Sequence, residues 1–368
     1  MTITFTRTET QTAISDMITG VLASTYDFKA RHDAIAVGGH SPAIWATLAE
    51  QGVLGIEVSE AVGGIGGTFA DTAVVLEALG AALVVEPFVP TAVLGVGLLN
   101  ELGAPEMAAP LLEQIVAGTL KLALAHDEAS GAKHLTSVKR EGEGWRLNGA
   151  KTRVVGGDVA DLLLVSALTD QGVSMFMVPA ETAGLSRRAY RMYDEHGAAD
   201  IAMDVFLPAD ALLGELGAAS PAIELALDRG AAAAIHQAIG AMERLCSMTP
   251  DYLKARVQFG KPLASFQVLQ HRMVDMAMAL EQARSMAMLA TAALDEADPV
   301  IRACDISAAK IYTGDAARLV GQTAVQLHGG IALTDEYPAG HYFKRLTMLA
   351  RQFGDELHHL DRYMELAA

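Results

Sequence analysis

The sequence predicts a mainly α-helical protein with a β-rich middle. Apolar residues recur at helical spacing from Thr8 to Gly118 and again from Pro221 onward. Between those stretches, short apolar runs alternate with Gly, Asp and Asn turns, the texture of a small β-domain. The composition agrees: at 51% hydrophobic but 5% aromatic, the core is built from Ala, Leu, Val and Met, which suits closely packed helices. A chain of 368 residues is long enough for several domains, and the changes of texture set them at residues 1–119 (α-helical), 120–215 (β) and 216–368 (α-helical bundle).

In the first domain Ile14, Met17, Ile18, Val21 and Leu22 form one helical face, Ser41-Pro42 starts a second helix running through Leu48, and Thr68 to Leu83 gives a third. Pro90 opens a helix to Leu102 and Pro105 another to Gly118. The run Val62-Gly63-Gly64-Ile65-Gly66-Gly67 lacks the lysine and spacing of a phosphate loop, and reads as a flexible loop. Strands are expected in 120–128, Thr136–Arg140, Gly144–Asn148, Arg153–Val155, Leu162–Ser166, Val173–Val178 and Ile201–Leu207, making an antiparallel β-domain with Asn148-Gly149 as a hairpin turn. The bundle follows as helices from Pro221 to Met248, Pro250 to Val257, Phe266 to Leu294 and Val300 to Leu327, then a C-terminal pair. Met276, Met278, Met286 and Met288 read as core filler.

A formal net charge of -17 and a pI near 5.0 argue against nucleic-acid or anionic-membrane binding. The polar, acid-bearing start MTITFTRTETQTAISD lacks the basic and apolar regions of a leader, and the apolar tract Ala73 to Leu99 is broken by Glu77, Glu86, Pro87 and Pro90, so a soluble, cytoplasmic protein is expected. Cys246 and Cys304 show no metal or disulfide spacing and read as buried free thiols. His358 and Asp361 share a helical face without a second cluster, so no metal is expected. GxSxG, HExxH and Walker sequences are absent.

Against that acidic background, Tyr252 to Gln270 (YLKARVQFGKPLASFQVLQ) gathers Lys254, Arg256 and Lys261 beside Phe259 and a Gly-Lys-Pro turn. Residue types alone allow two readings, a solvated helix end or a local anion site. Together with the later AVQLHGGIALTDEYP, the stretch RVQFGKPLASFQ resembles the acyl-CoA dehydrogenase family, over essentially the whole chain. The final stretch is most similar to the small subunits of pimeloyl-CoA dehydrogenases, and also resembles the non-catalytic subunits of heteromeric enzymes that act on steroid side chains.

The resemblance implies an acyl-CoA dehydrogenase-like fold and α,β-dehydrogenation of an acyl-CoA thioester with FAD, passing electrons to electron-transfer flavoprotein. It assigns Arg256, Phe259, Gln267 and Gln326 to the pyrophosphate and adenosine of an FAD held by a neighbouring subunit, with Gly329 and Gly330 allowing close backbone approach. A forked guanidinium suits a pyrophosphate, and glycine suits a surface on which a nucleotide lies. The family's proton-abstracting Glu falls here on Phe353, or at the alternative place on Gly230, and its CoA-phosphate Arg falls on Ala231. Its flavin-contacting segments fall on Ala125-His126-Asp127-Glu128 and Arg153-Val154-Val155, where an indole and a hydroxyl are lost. What a subunit needs for its own chemistry is missing, and what it lends to a neighbour is kept. The implied role is therefore the non-catalytic, β-type member of an α2β2 heterotetramer with a homologous catalytic partner, in steroid or dicarboxylate degradation. Two alternatives stand beside it: a homomeric enzyme with a displaced base such as Asp355, and a flavin-free scaffold subunit.

Overall fold

The computed structural model describes residues 6–36, 38–129 and 135–367, so the first five residues of the segment read for a leader lie outside it. The described chain forms two compact units, one of residues 33–68 and 85–229, the other of residues 1–32, 69–84 and 230–368.

In the first of these units, Pro42–Glu50 (α3) begins as the sequence predicts, the Ser41 hydroxyl accepting the Ile44 N–H. The expected helix from Pro90 is a π-helical turn, Val89–Gly95, leading into Val96–Leu102 (α5), and Pro105–Val116 (α6) follows. The glycine loop is a tight fold-back: Gly66 and Gly67 N–H groups donate to the Val58 and Ile56 carbonyls at 2.8 and 2.7 Å. A Cβ at Gly64 would stand 2.1 Å from the Val58 carbonyl oxygen, so this glycine serves close backbone approach. The loop's amides are spent internally, which disfavours both the phosphate reading and the flexible one.

The strands are Leu122–Ala125 (β1), Ser137–Glu141 (β2), Gly144–Val155 (β3), Leu162–Thr169 (β4), Gly172–Pro179 (β5), Leu185–Arg191 (β6), Gly197–Leu207 (β7) and Leu212–Leu213 (β8), in the order β6-β7-β3-β2-β4-β5-β8 with β1 paired to β4. Pairing is antiparallel except for β1 with β4 and one bridge of β2 with β4. Asn148-Gly149 is not a turn. It lies within β3, which pairs with β7 from Trp145↔Leu207 to Val155↔Ala198, and the tight turn falls at Gly142-Glu143 instead. Long pairing with β7 outweighs the local turn preference of Asn-Gly, and Gly149 lets β2 approach, a Cβ there lying 2.6 Å from the Thr136 Cα. Both faces of β4 are buried: Leu162 and Leu164 join Leu99, Leu112 and Ile115 of the helices, while Leu163 and Val165 join Trp145, Phe176 and Ile201 of the sheet.

The second unit holds Glu9–Thr25 (α1), with buried Ile18 and Leu22, and Phe69–Ala81 (α4). It also holds most of Ser220–Ala255 (α7), with Gln267–Ala293 (α8), Pro299–His328 (α9), Pro338–Leu349 (α10) and Glu356–Ala367 (α11). Pro250 does not split α7 as expected. Proline removes one N–H, and the Thr249 hydroxyl donates to the Leu245 carbonyl at 2.7 Å in the same turn. Gly80 and Gly240 let α4 and α7 meet backbone to backbone, since a Cβ at either would stand 2.1 or 1.8 Å from a carbonyl of the other helix. Glu77 closes that contact by binding His236 Nδ1 at 2.9 Å, and His236 Nε2 reaches the Thr291 hydroxyl at 2.7 Å. Phe28–Ala36 (α2) went unread in the sequence because its apolar face is weak. Met276 is core as expected, but Met278 is exposed. Cys246 and Cys304 are half-buried free thiols, and burial pushes the Cys246 thiol up to about 11. No helix among the described residues is long and apolar enough to cross a membrane.

Candidate functional site

After α7 ends, Val257–Gln258 (β9) and Lys261–Pro262 (β10) form a hairpin with Gln258 opposite Lys261 and a turn at Phe259-Gly260. Both turn residues have positive φ, 54° and 80°. This mirror-image turn matches the twist of paired strands, and Gly260 adopts it freely. Phe259 does not, because a Cβ in the left-handed region costs about 1–2 kcal/mol. The residue is nevertheless 88% exposed, its ring centroid 6.2 Å from that of Phe266 in an edge-to-face pair. Of the three cations, Lys254 pairs with Asp251 at 3.5 Å and the Lys261 ammonium lies 4.3 Å from the Phe266 ring centroid. Arg256 is exposed and makes no side-chain ion pair among the described residues. Gln267, at the start of α8, is exposed in the chain by itself.

Gln326 is exposed on the last turn of α9, and Gly329 ends that helix at φ 69°. A Cβ at Gly329 or Gly330 would meet nothing within 4 Å. Gly329 is required by its own backbone. At Gly330 nothing among the described residues asks for a glycine, and a Cβ would stand in open space. The two groups are tied by His328, which sequence reading passed over although it stands in the quoted motif. Its buried ring stacks on Tyr252 at 4.7 Å and lies 5.2 Å from Tyr337. The Arg256 N–H donates to the Tyr252 carbonyl at 2.9 Å, so this stack joins the Arg256 end of α7 to the glycine turn. Its Nδ1 lies 2.8 Å from the Ala324 carbonyl, which fixes the proton there, and burial lowers its pKa, keeping it neutral. The signal that would have found it is the trio of rings, which only folding assembles.

Phe353 and Gly230, the two places where a base was sought, lie against one another. Phe353 has φ 59°, and a Cβ on Gly230 would stand 2.5, 2.6 and 2.8 Å from three carbons of its ring. The ring takes the volume that the glycine leaves, and neither can hold a proton. Ala231 is a buried apolar residue on α7. Asp355 is exposed and caps α11, its Oδ1 accepting the His358 N–H at 3.0 Å. Among the described residues no three His, Cys, Asp or Glu converge as a metal site.

In the β-domain a cavity of about 490 Å³ is lined by Glu128, Arg153, Arg188, Tyr190 and Asp200 among others. Its charges are engaged within the chain. Arg153, at φ 53° where the β3–β7 register shifts, lies 3.5 Å from Asp127 and donates its N–H to Asp200 at 3.2 Å. Arg188 and Tyr190 both donate to Asp200, at 2.5 and 3.2 Å. Beneath them Glu128 meets the fully buried Lys151 at 2.7 Å and accepts the Thr136 N–H at 2.9 Å. Its bonds to Lys151 and to the Thr136 and Leu135 amides outweigh burial and hold the carboxyl down at about 2. The Lys151 pKa is lowered by burial despite that carboxylate.

The chain matches the N-terminal, middle and C-terminal domain profiles of acyl-CoA dehydrogenases over residues 8–119, 126–205 and 221–357. It is 30% identical over 336 residues to acyl-CoA dehydrogenase IpdE2 of Mycolicibacterium smegmatis, covering 88% of each chain. The chain belongs to the acyl-CoA dehydrogenase family. Another relative within the acyl-CoA dehydrogenases is FadE27 of Mycobacterium tuberculosis, 29% identical over 82% of this chain and 81% of that one. Similar solved structures include the ChsE4-ChsE5 complex from Mycobacterium tuberculosis, with a TM-score of 0.92 and 26% identity over 99% of both chains. A variant of the Tcur3481-Tcur3483 steroid enzyme gives a TM-score of 0.88 and 27% identity over 98% of both. The acyl-CoA dehydrogenase fold is thus present from end to end, helical at both ends with a β middle.

Proposed function

We propose that this chain is the non-catalytic, β-type subunit of an α2β2, FAD-dependent acyl-CoA dehydrogenase. The observation that carries the reading is the packing of Phe353 on Gly230, which leaves both base positions without a proton acceptor and fills the space between them. The exposed Arg256 guanidinium, without an ion pair among the described residues, the strained and exposed Phe259 ring and the open face of Gly330 fit the nucleotide end of an FAD. The β-domain cavity, crossed by internal ion pairs, fits a flavin ring poorly.

When bound, FAD supplies the hydride acceptor. The task of this chain is binding: Arg256 donates forked hydrogen bonds to the pyrophosphate, Phe259 offers a ring face, and Gln267 and Gln326 offer amides to the adenosine end. Gly329 and Gly330 allow close approach. Proton abstraction next to the thioester falls to a carboxylate of the homologous catalytic partner, and electrons leave to electron-transfer flavoprotein. Two-chain assemblies among the similar structures, one of them named as a steroid enzyme, support a heteromer and a bulky acyl-CoA substrate.

The test is a flavin count on the chain purified alone and with its partner. The expected result is no tightly held flavin alone and one FAD for every two chains in an active complex. A flavin-loaded homotetramer that oxidises acyl-CoA would overturn the proposal.

A further inference from the structure

The segment joining α10 to α11 is gripped from below by side chains that the proposed function does not use. Lys310 of α9 is 3% exposed, and its ammonium donates to the carbonyls of Leu349, Ala350 and Gly354 at 2.9, 3.0 and 3.0 Å. Each of its three protons has an acceptor. One turn earlier on α9, the Ser307 hydroxyl lies 3.2 Å from Nδ1 of the buried His359, whose Nε2 lies 3.0 Å from the Phe353 carbonyl. A carbonyl can only accept, so Nε2 carries a proton, and in the neutral ring the Ser307 hydroxyl donates to Nδ1. Burial, then the Lys310 charge, hold the His359 pKa at about 3, in keeping with that form.

Four carbonyls of one short segment are therefore held by two side chains. Its backbone is shaped to allow this: Phe353 and Gly354 have φ 59° and 105°, and a Cβ on Gly354 would stand 2.8 Å from His359 Nε2. A buried ammonium without a contacting carboxylate is costly unless its hydrogen bonds are complete, and these are. A left-handed Phe353 is costly too, by about 1–2 kcal/mol. Both costs fall where the Phe353 ring meets Gly230.

We propose that Lys310 and His359 are positioning residues that fix Phe353 against Gly230, making residues 350–355 a clamped plug in the bundle. The proposal rests on the bundle's own geometry and is independent of where FAD binds. Asp355, at the start of α11, is the charge that attracts the ammonium; His358 and Arg362 on α11 disfavour protonation of His359. Burial brings Lys310 down to about 7. An opened segment would return the amine to water and to its ordinary 10.5, so closing the clamp releases a proton between those values, and the clamp tightens as pH rises above about 7.

The experiment is amide hydrogen exchange by mass spectrometry on the complex between pH 6 and 9, corrected for intrinsic rates. It follows the Ala350, Arg351 and Gln352 amides, which donate to Leu346 and Met348 carbonyls. In the wild type their protection is expected to rise at least about tenfold as pH rises from 7 to 9, while α8 keeps its own. Lys310→Met is expected to exchange about tenfold faster at pH 9 and to lose the pH step. Gly230→Ala, which drives a methyl into the Phe353 ring, is expected to raise exchange in the same segment with the step retained. The wild-type series needs no variant to fold: flat or falling protection across the range, or a rise shared equally with α8, overturns the proposal.

Discussion

The hairpin rim of the bundle and the cavity of the β-domain treat their charged groups in opposite ways. At the rim Arg256 has no ion pair among the described residues, and the Phe259 ring is displayed at a backbone cost. In the cavity Arg153, Arg188, Glu128 and Lys151 all meet partners within the chain. Groups already engaged inside a subunit hold it together, whereas groups held ready at a cost are intended for something outside. The comparison can be broken from either side.

The largest expected effect lies in the cavity floor. Lys151→Met leaves Glu128 a buried carboxylate without its cation, and removing one partner of such a pair costs about 3–5 kcal/mol. Chemical denaturation of the isolated chain would measure it, and a loss below about 1 kcal/mol would mean the pair is not structural. Acid gives a second view of the same group. The folded Glu128 pKa, about 2, lies below its ordinary 4.5, so its contribution is fully present above pH 4.5 and is lost as pH falls toward 2. His359 is likewise depressed, to about 3 from 6.5, so its contribution is lost as pH falls from 6.5 toward 3. Glu128→Gln should flatten the lower part of the acid transition, and His359→Gln the upper part.

Next comes the rim. Arg256→Ala should weaken FAD binding by the complex at least about tenfold, as expected for hydrogen bonds from a charged donor worth about 1.5–3 kcal/mol. The isolated chain should keep its stability to within about 0.5 kcal/mol, because the side chain makes no ion pair or hydrogen bond among the described residues. An FAD titration of the apo-complex with a melt of the isolated chain reads both. Unchanged FAD affinity would remove the rim from the cofactor site.

These two regions were not equally legible in the sequence. RVQFGKPLASFQ is local: its arginine and its place after a helix can be read from neighbouring letters, although the turn expected at Gly-Lys-Pro stands at Phe259-Gly260. Helix starts at Ser41-Pro42 and Pro105 are local too, and they stand where expected. The turn expected at Asn148-Gly149 failed because strand pairing over most of β3 is a non-local force. Pro250 failed in the same way, a local breaker inside a helix whose packing continues on both sides. Lys310 and Gly354 are 44 residues apart, and His359 and Ser307 are 52 apart, so no pattern of spacing joins them. Phe353 and Gly230 were each visible as losses. That one fills the space of the other needed three dimensions.

The smallest effect is the sharpest, because its two readouts should move in opposite directions. Asn tolerates the left-handed region better than Phe, and the exposed Phe259 ring gives the isolated chain little packing. Phe259→Asn should therefore stabilise the isolated chain by about 0.5–1 kcal/mol, through relief of backbone strain. In the complex the same change removes a ring face and should weaken FAD retention, read as faster flavin release on dilution. A residue kept for folding would lose stability on replacement, and one kept for nothing would change neither value. A stability gain coupled to a binding loss is the signature of a side chain strained on behalf of another molecule.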